Sequence, residues 1–302
     1  MKHNGKYSLK ELEEIEKKVL KYGEKICKEF SIDSKLLIFL RNGKKLRSKL
    51  LILSGNIKSK KKRIDICTLI ELLHVASLVH DDIIDGNSLR RGFPTINSLI
   101  NEKYAVSVGY AFFSYIFMEL LNQDEQILLS FFETIKEMCM GEILEIKSTF
   151  NRSRNVENYI KVISLKTGSL FALSCSINEK KNNNNENLKN FGKNFGIAFQ
   201  ILDDLADITE DENKLGKETL KDLKSGVYTL PVIYHFSNTD KTNEFFSEES
   251  IDKSKDKAIK YLRMAKKDVK NKELLNELEI LEKSINDISL SNNIHFSRKT
   301  AE

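Results

Sequence analysis

IDICTLIELLHVASLVHDDIID, residues 64–85, is apolar almost all the way round a helix. Leu69, Leu72, Leu73, Val75, Leu78 and Val79 leave no wet face, so residues 64–84 are expected to form a buried central helix. In such a helix the polar residues are the informative ones. Carboxylates are costly to bury, yet the stretch ends on Asp81, Asp82 and Asp85. Residues four apart share a helix face, so Asp81 and Asp85 aim at a common point one turn apart. Like charges held that close raise one another's pKa unless a cation keeps them ionised.

Outward from that helix the chain repeats the same kind of segment. Leu9–Phe30 spaces Leu12, Ile15, Val19 and Ile26 near helical intervals among charges, and a second helical run follows from Leu36 to Leu53. Ala105–Leu121, Leu128–Ile146, Tyr159–Ile177 and Leu188–Ile208 have the length and apolar content of further helices, and Lys257–Ile288 supplies charged ones. The basic run Lys58–Arg63 and the asparagine tract within Lys180–Asn187 read as solvated connections. With only Pro94 and Pro231 to interrupt 302 residues, the expected class is all-α.

A formal charge of +5 is small for this length and gives no ground for nucleic-acid binding. Cys27, Cys67, Cys139 and Cys175 are too far apart for zinc or disulfide spacings, which points to a reducing cytoplasm. The opening MKHNGKYSLK has no apolar stretch behind its charges, and no later segment approaches the ~20 apolar residues that span a bilayer. The expectation is a protein that is neither secreted nor integral to a membrane.

A second acidic trio, Asp203, Asp204 and Asp207 in DDLAD, repeats the DDxxD spacing after another apolar run, FGIAFQIL. One such cluster is commonly an exposed acidic helix end; two with the same spacing behind two apolar helices are harder to dismiss. If the trios face each other they make a divalent metal site. Oxygen-only donors suit Mg²⁺, which is normally held by few carboxylates plus phosphate oxygens, and no histidine–cysteine set favours zinc. Carboxylates alone would repel a diphosphate, so metal between acid and phosphate is the natural reading.

Cationic residues fit that reading. SLRRGFPTIN places Arg90 and Arg91 beside Gly92 and Pro94, a turn able to hold two guanidinium groups in the open for phosphate oxygens. NGKKLRSK offers Lys44 and Arg47 after a flexible Gly43. His74 lies two turns before Asp81, on roughly the same face. Lys166 and Thr167 in SLKTGSLF, Gln200 before the second trio and Lys217 in LGKETLKD are further polar candidates.

Taken in order, NGKKLRSK, LLHVASLVHDDIID with SLRRGFPTIN, GEILEI at Gly141 and Glu142, KTG at Lys166, and FQILDDLADITED with LGKETLKDLKSG closely resemble the trans-polyprenyl diphosphate synthase family, over roughly two thirds of the chain. The resemblance implies one domain over residues 1–302, with core motifs in 43–234 and a charged helical part in 240–302. It implies a single large antiparallel helical bundle of the isoprenoid synthase kind with a deep central cavity. It further implies that Asp81, Asp82, Asp85, Asp203, Asp204 and Asp207 engage Mg²⁺ and the allylic diphosphate, the metal ligands proper being Asp81, Asp82, Asp85, Asp203 and Asp207. Arg90, Lys166, Thr167, Gln200 and Lys217 would hold that diphosphate. Gly43, Lys44, Arg47, His74 and Arg91 would bind isopentenyl diphosphate.

The implied activity is condensation of farnesyl or geranylgeranyl diphosphate with successive isopentenyl diphosphates into a long-chain polyprenyl diphosphate for a quinone side chain. The implied protein is a homodimer that meets a membrane transiently when it releases product. In this family bulky aromatics shortly before the first trio plug the cavity, so the small Ala76 and Ser77 imply an open tunnel and a long product. Two residues depart from the pattern. The family usually has aspartate after the glycine where this chain has Gly109 and Tyr110, and lysine where Val227 follows Gly226; Lys224 is the nearest stand-in. The competing readings are a noncatalytic or regulatory subunit of a heteromeric prenyltransferase, and a shorter-chain farnesyl or geranylgeranyl diphosphate synthase. Intact acidic trios speak against the first.

Overall fold

A computed structural model of the chain describes residues 4–40, 43–90, 92–178, 184–209, 221–238 and 246–288. Their regular structure is helical except for one two-stranded ribbon, so the expected all-α class holds. No helix among the described residues is long and apolar enough to cross a membrane. The chain divides into two compact units, one of residues 1–132 with 174–185, the other of residues 133–173 with 186–302.

The first unit is built on α3, Lys60–Ile84, the helix read from the opening stretch. Ser59 caps its N-terminus by accepting from the Lys62 backbone N–H, and α3 buries Ile66, Ile70, Leu72, Leu73 and Ala76 completely. Before it come α1, Asn4–Glu29, and α2, Leu46–Ser54; after it come α4, Ile96–Leu99, and α5, Glu102–Leu120. Gly109 on α5 allows α5 to lie close on α3, because a Cβ there would come within 2.2 Å of His80 Nε2. The neighbouring Tyr110 leans edge-on against the same imidazole, with ring centroids 5.4 Å apart. Gly109 and Tyr110, where the chain leaves the family pattern, thus form part of the α3–α5 seam.

One expected helix proves to be two pieces. The run from Leu36 to Leu53 is a 3₁₀ turn, Ser34–Leu40, followed by α2. At the junction it is Lys45, and not the glycine at 43, that takes a left-handed backbone (φ 50°), with its Nζ reaching the Leu40 carbonyl at 3.4 Å. A left-handed residue ends helical periodicity while leaving the apolar spacing on either side intact, which is why the sequence pattern runs through it.

The second unit takes the C-terminal part of α6, Glu125–Lys147, then α7, Val156–Ile163, and most of α8, Ser169–Ser176. A π turn, Ser164–Gly168, interrupts the expected Tyr159–Ile177 helix between α7 and α8. Beyond it lie most of α9, Asn184–Thr209, then the short α10, Lys221–Lys224, α11, Leu230–Asn238, α12, Glu248–Asp268, and α13, Lys272–Asn286. Glycines set the spacing here. A Cβ on Gly192 would fall 2.4 Å from the Phe171 carbonyl oxygen, and one on Gly196 would fall 2.9 Å from the Gly168 Cα, so α9 crosses the π turn and α8 backbone to backbone. A Cβ on Gly141 of α6 would fall 2.5 Å from the Lys166 backbone nitrogen. Two helices, α6 and α9, therefore pack against the turn that carries Lys166 and Thr167 and that joins α7 to α8.

Candidate functional site

In the first unit the acidic trio sits at the C-terminal end of α3, where Asp85 is the cap and donates its backbone N–H to the Asp81 carbonyl at 2.8 Å. Asp81 and Asp85 are half-buried, while Asp82 is 6% exposed. The difference has a cause in the next ten residues. Leu89–Arg90 and Phe93–Pro94 pair as antiparallel strands β1 and β2 around a tight turn, with Gly92 at φ 79°. The ribbon folds Arg90 back so that Nε and Nη2 donate to Asp82 Oδ1 at 2.8 and 2.7 Å, joined by Asn87 Nδ2 at 3.0 Å. Thr95 Oγ1 and Asn97 Nδ2 donate to the Asn87 carbonyl at 2.6 and 3.0 Å and close the loop.

Arg90 is therefore not held in the open, as its place in a turn predicted. It is half-buried because a carboxylate eight residues upstream captures it. Burial alone would lower its pKa, but the Asp82 hydrogen bond and the charges of Asp82, Asp81 and Asp85 outweigh that and hold it above the ordinary value. Beside this pair lies a small apolar cleft, with Val75, Leu78, Phe93 and Ile96 in its walls. Arg91 lies outside the described residues.

The other residues expected at this end are also in the first unit. His74 is half-buried on α3, and its carbonyl accepts from Ser77 Oγ at 2.8 Å. Gly43 and Arg47 are half-buried and Lys44 is exposed, around the start of α2. Ala76 is fully buried and Ser77 half-buried.

In the second unit Lys166 Nζ is shared by Glu142 Oε2 and Glu145 Oε2, each at 2.6 Å, both glutamates coming from α6. Gln200 and Asp204 continue along α9 the four-residue interval of Gly192 and Gly196, which carries them onto the π turn. There Thr167 Oγ1 donates to Gln200 Oε1 at 2.7 Å, Gln200 Nε2 donates to Asp204 Oδ1 at 2.8 Å, and Tyr159 OH donates to Asp204 Oδ2 at 2.5 Å. Thr167, Gln200 and Asp204, picked separately from the sequence, form one hydrogen-bonded chain. Its anchor, Tyr159, was not singled out: an aromatic at a helical core position carries no mark of its hydroxyl's use.

Both oxygens of Asp204 are thus occupied by protein donors. Burial pushes its pKa up to about 7, against the lowering effect of Tyr159 and Gln200 and with the help of the Asp203 and Glu145 charges. Asp203, by contrast, is exposed, and Asp207 is 3% exposed. Arg154 lies over the Tyr159 ring, with Cζ 5.5 Å from its centroid, and donates to the Tyr228 carbonyl at 3.1 Å. Val227 is half-buried and Lys224 exposed. Lys217 lies outside the described residues.

The donor chemistry fits a hard divalent cation. Asp81 and Asp85 offer oxygen only, on one helix face at a helix end, and the preceding His80 packs instead against Tyr110 and Phe113 of α5. Among the described residues no three His, Cys, Asp or Glu side chains form a group that could hold a metal ion by themselves.

Residues 34–268 match the family described as polyprenyl synthetase. One relative, the all-trans-nonaprenyl-diphosphate synthase (geranyl-diphosphate specific) of Rhodobacter capsulatus, is 37% identical over 65% of this chain, and the match spans 63% of that relative's own length. Among solved structures, heptaprenyl diphosphate synthase from Staphylococcus aureus superposes with a TM-score of 0.80 at 27% identity, over 93% of this chain and 99% of that one. A geranyltransferase from Helicobacter pylori complexed with magnesium and isoprenyl diphosphate gives a TM-score of 0.68 at 25% identity, over 95% and 98%.

Proposed function

Because this chain belongs to the polyprenyl synthetase family, we propose that it is a Mg²⁺-dependent trans-prenyltransferase that condenses farnesyl or geranylgeranyl diphosphate with successive isopentenyl diphosphates to a long-chain polyprenyl diphosphate. One observation carries the reading. At the end of α3, two half-buried carboxylates stand on one face beside a guanidinium that a third carboxylate holds in place. Acids that repel phosphate and a cation that seeks it have a common purpose only if a divalent ion comes with the phosphate. The relative named for nonaprenyl diphosphate supports the long product.

Asp81, Asp82, Asp85, Asp203 and Asp207 would hold Mg²⁺, which would supply charge neutralisation for the departing diphosphate. Arg90, Lys166, Thr167 and Gln200, with Lys217 added on sequence grounds, bind and orient that diphosphate. Gly43, Lys44, Arg47 and His74, with Arg91 added likewise, bind isopentenyl diphosphate. The allylic carbon–oxygen bond breaks toward a carbocation, the isopentenyl double bond attacks that carbon, and the released diphosphate takes the proton. No protein nucleophile takes part. Apolar walls keep water from quenching the cation.

The reading includes a homodimer in the cytoplasm that touches a membrane only to release product. Tyr110, Met118 and Leu121, 65%, 63% and 64% exposed along one face of α5 and its end, support the dimer. Incubating the purified protein with Mg²⁺, isopentenyl diphosphate and either allylic starter, then sizing the products by reversed-phase chromatography, tests activity and chain length together. Absence of any elongated product would end the proposal.

Ser77 and Ala76 separate two expectations. Ser77→Phe should shorten the product distribution, since a half-buried position can admit a ring into a passage. Ala76→Phe adds a ring where nothing is exposed, so it should also lose about 1–3 kcal/mol of stability by overpacking. Product sizing and thermal melts of both variants check this. An active Ser77→Phe enzyme with unchanged products would refute the tunnel role.

A further inference from the structure

Glu71 lies in the middle of α3, 5% exposed, and the reaction above gives it no part. A buried carboxylate needs strong donors, and Glu71 finds them on a different helix. Ser48 donates both its backbone N–H, at 3.2 Å, and its Oγ–H, at 2.7 Å, to Glu71 Oε1. Ser48 is the third residue of α2, and the cap position of that helix is the left-handed Lys45, whose side chain makes no capping hydrogen bond.

The first N–H groups of a helix have no partner within it and carry partial positive charge. Glu71 therefore caps α2 from outside, an anion placed at a helix N-terminus by tertiary structure. Cys67, one turn earlier on α3, adds its thiol to the Ser48 carbonyl at 3.8 Å. The first turn of α2 is tied to α3 through both backbone poles of one residue.

That turn also bears Arg47 and follows Lys44, while His74 stands one turn beyond Glu71 on α3. We propose that Glu71 is a positioning residue for isopentenyl diphosphate: without touching substrate, it fixes the register between the Lys44–Arg47 half of the site on α2 and the His74 half on α3. This rests on the prenyl-transfer reading above.

The test is isopentenyl diphosphate binding by calorimetry, together with steady-state KM values for both substrates, in Glu71→Gln and Ser48→Ala. Replacing a charged acceptor by a neutral one of the same shape should weaken isopentenyl diphosphate binding ~10-fold and leave the allylic KM within ~2-fold. Ser48→Ala, which keeps the backbone donor, should shift the same quantity less, and the double variant should fall short of the product of the single effects. Amide exchange of the peptide covering residues 46–50 should quicken in the substrate-free Glu71→Gln protein, a readout independent of turnover. Unchanged isopentenyl affinity, or an equal loss for both substrates, overturns the proposal. If Glu71→Gln does not fold, Ser48→Ala decides by the same criteria. A wild-type protein that binds isopentenyl diphosphate but makes no product would defeat the prenyl-transfer reading alone, since the binding and exchange arms still judge Glu71.

Discussion

Alanine in place of Asp81 should cut kcat on the order of 10²–10³-fold while leaving the melting temperature unchanged or slightly raised. The first half follows from the metal: charge stabilisation of a leaving diphosphate amounts to several kcal/mol, and each ~1.4 kcal/mol is tenfold in rate. The second half follows from burial. Asp81 and Asp85 are half-buried neighbours of like charge, so removing one relieves repulsion in the metal-free protein, which offsets the lost attraction to Arg90. Chelation with EDTA should abolish turnover, and added Mg²⁺ should restore it in the wild type but not fully in the variant. Prenyl transfer that survives both treatments would show that these carboxylates serve no metal.

Asp82→Ala should behave differently although it is the next residue. Asp82 is buried and carries Arg90 and Asn87 on one oxygen, so its loss strands a guanidinium and unpins the β1–β2 ribbon. Removing one partner of a buried pair commonly costs about 3–5 kcal/mol, discounted here because the Arg90 side chain is 31% exposed. A melting shift in Asp82→Ala that is missing from Asp81→Ala would show that Asp82 holds the ribbon in addition to its place in the metal set, whereas Asp81 does not.

That contrast marks the limit of what the sequence could tell. The helical class and the C-terminal end of α3 were legible because apolar residues ran round the whole helix and then stopped at three acids. The start of α3 was not, since it begins at Lys60, inside the basic run Lys58–Arg63 that read as a solvated connection. The DDxxD spacing alone cannot rank those acids; only the ribbon that returns Arg90 to Asp82 does, and no periodicity announces a two-residue strand. The break at Lys45 and the π turn at Ser164–Gly168 were hidden for a related reason, since both leave the apolar spacing on either side intact. Gly141, Gly192 and Gly196 read as ordinary helix residues until the missing Cβ atoms of Gly141 and Gly196 are seen to admit the π turn, and that of Gly192 the start of α8. Tyr159 and Glu71 were missed because their polar ends work on partners far along the chain, Asp204 and Ser48.

Lys166 shows how such a hidden partner changes the expected outcome of a substitution. The lysine alone suggests a free phosphate ligand; the structure instead clasps it between Glu142 and Glu145, which hold its ammonium where the π turn presents it. Lys166→Met should then do two kinds of harm, removing a donor for the allylic diphosphate and uncovering two carboxylates that repel it. The expected loss in kcat/KM for the allylic substrate is on the order of 10³-fold, at the upper end for a single preorganised donor. Glu145→Gln should move the allylic KM the other way, because it loosens one of the two clasps and leaves the lysine readier for phosphate. Opposite shifts at contacting residues cannot come from a general loss of packing. If Lys166→Met and Glu145→Gln raise the allylic KM alike, the clasp is only a structural ion pair and the diphosphate is held by other residues.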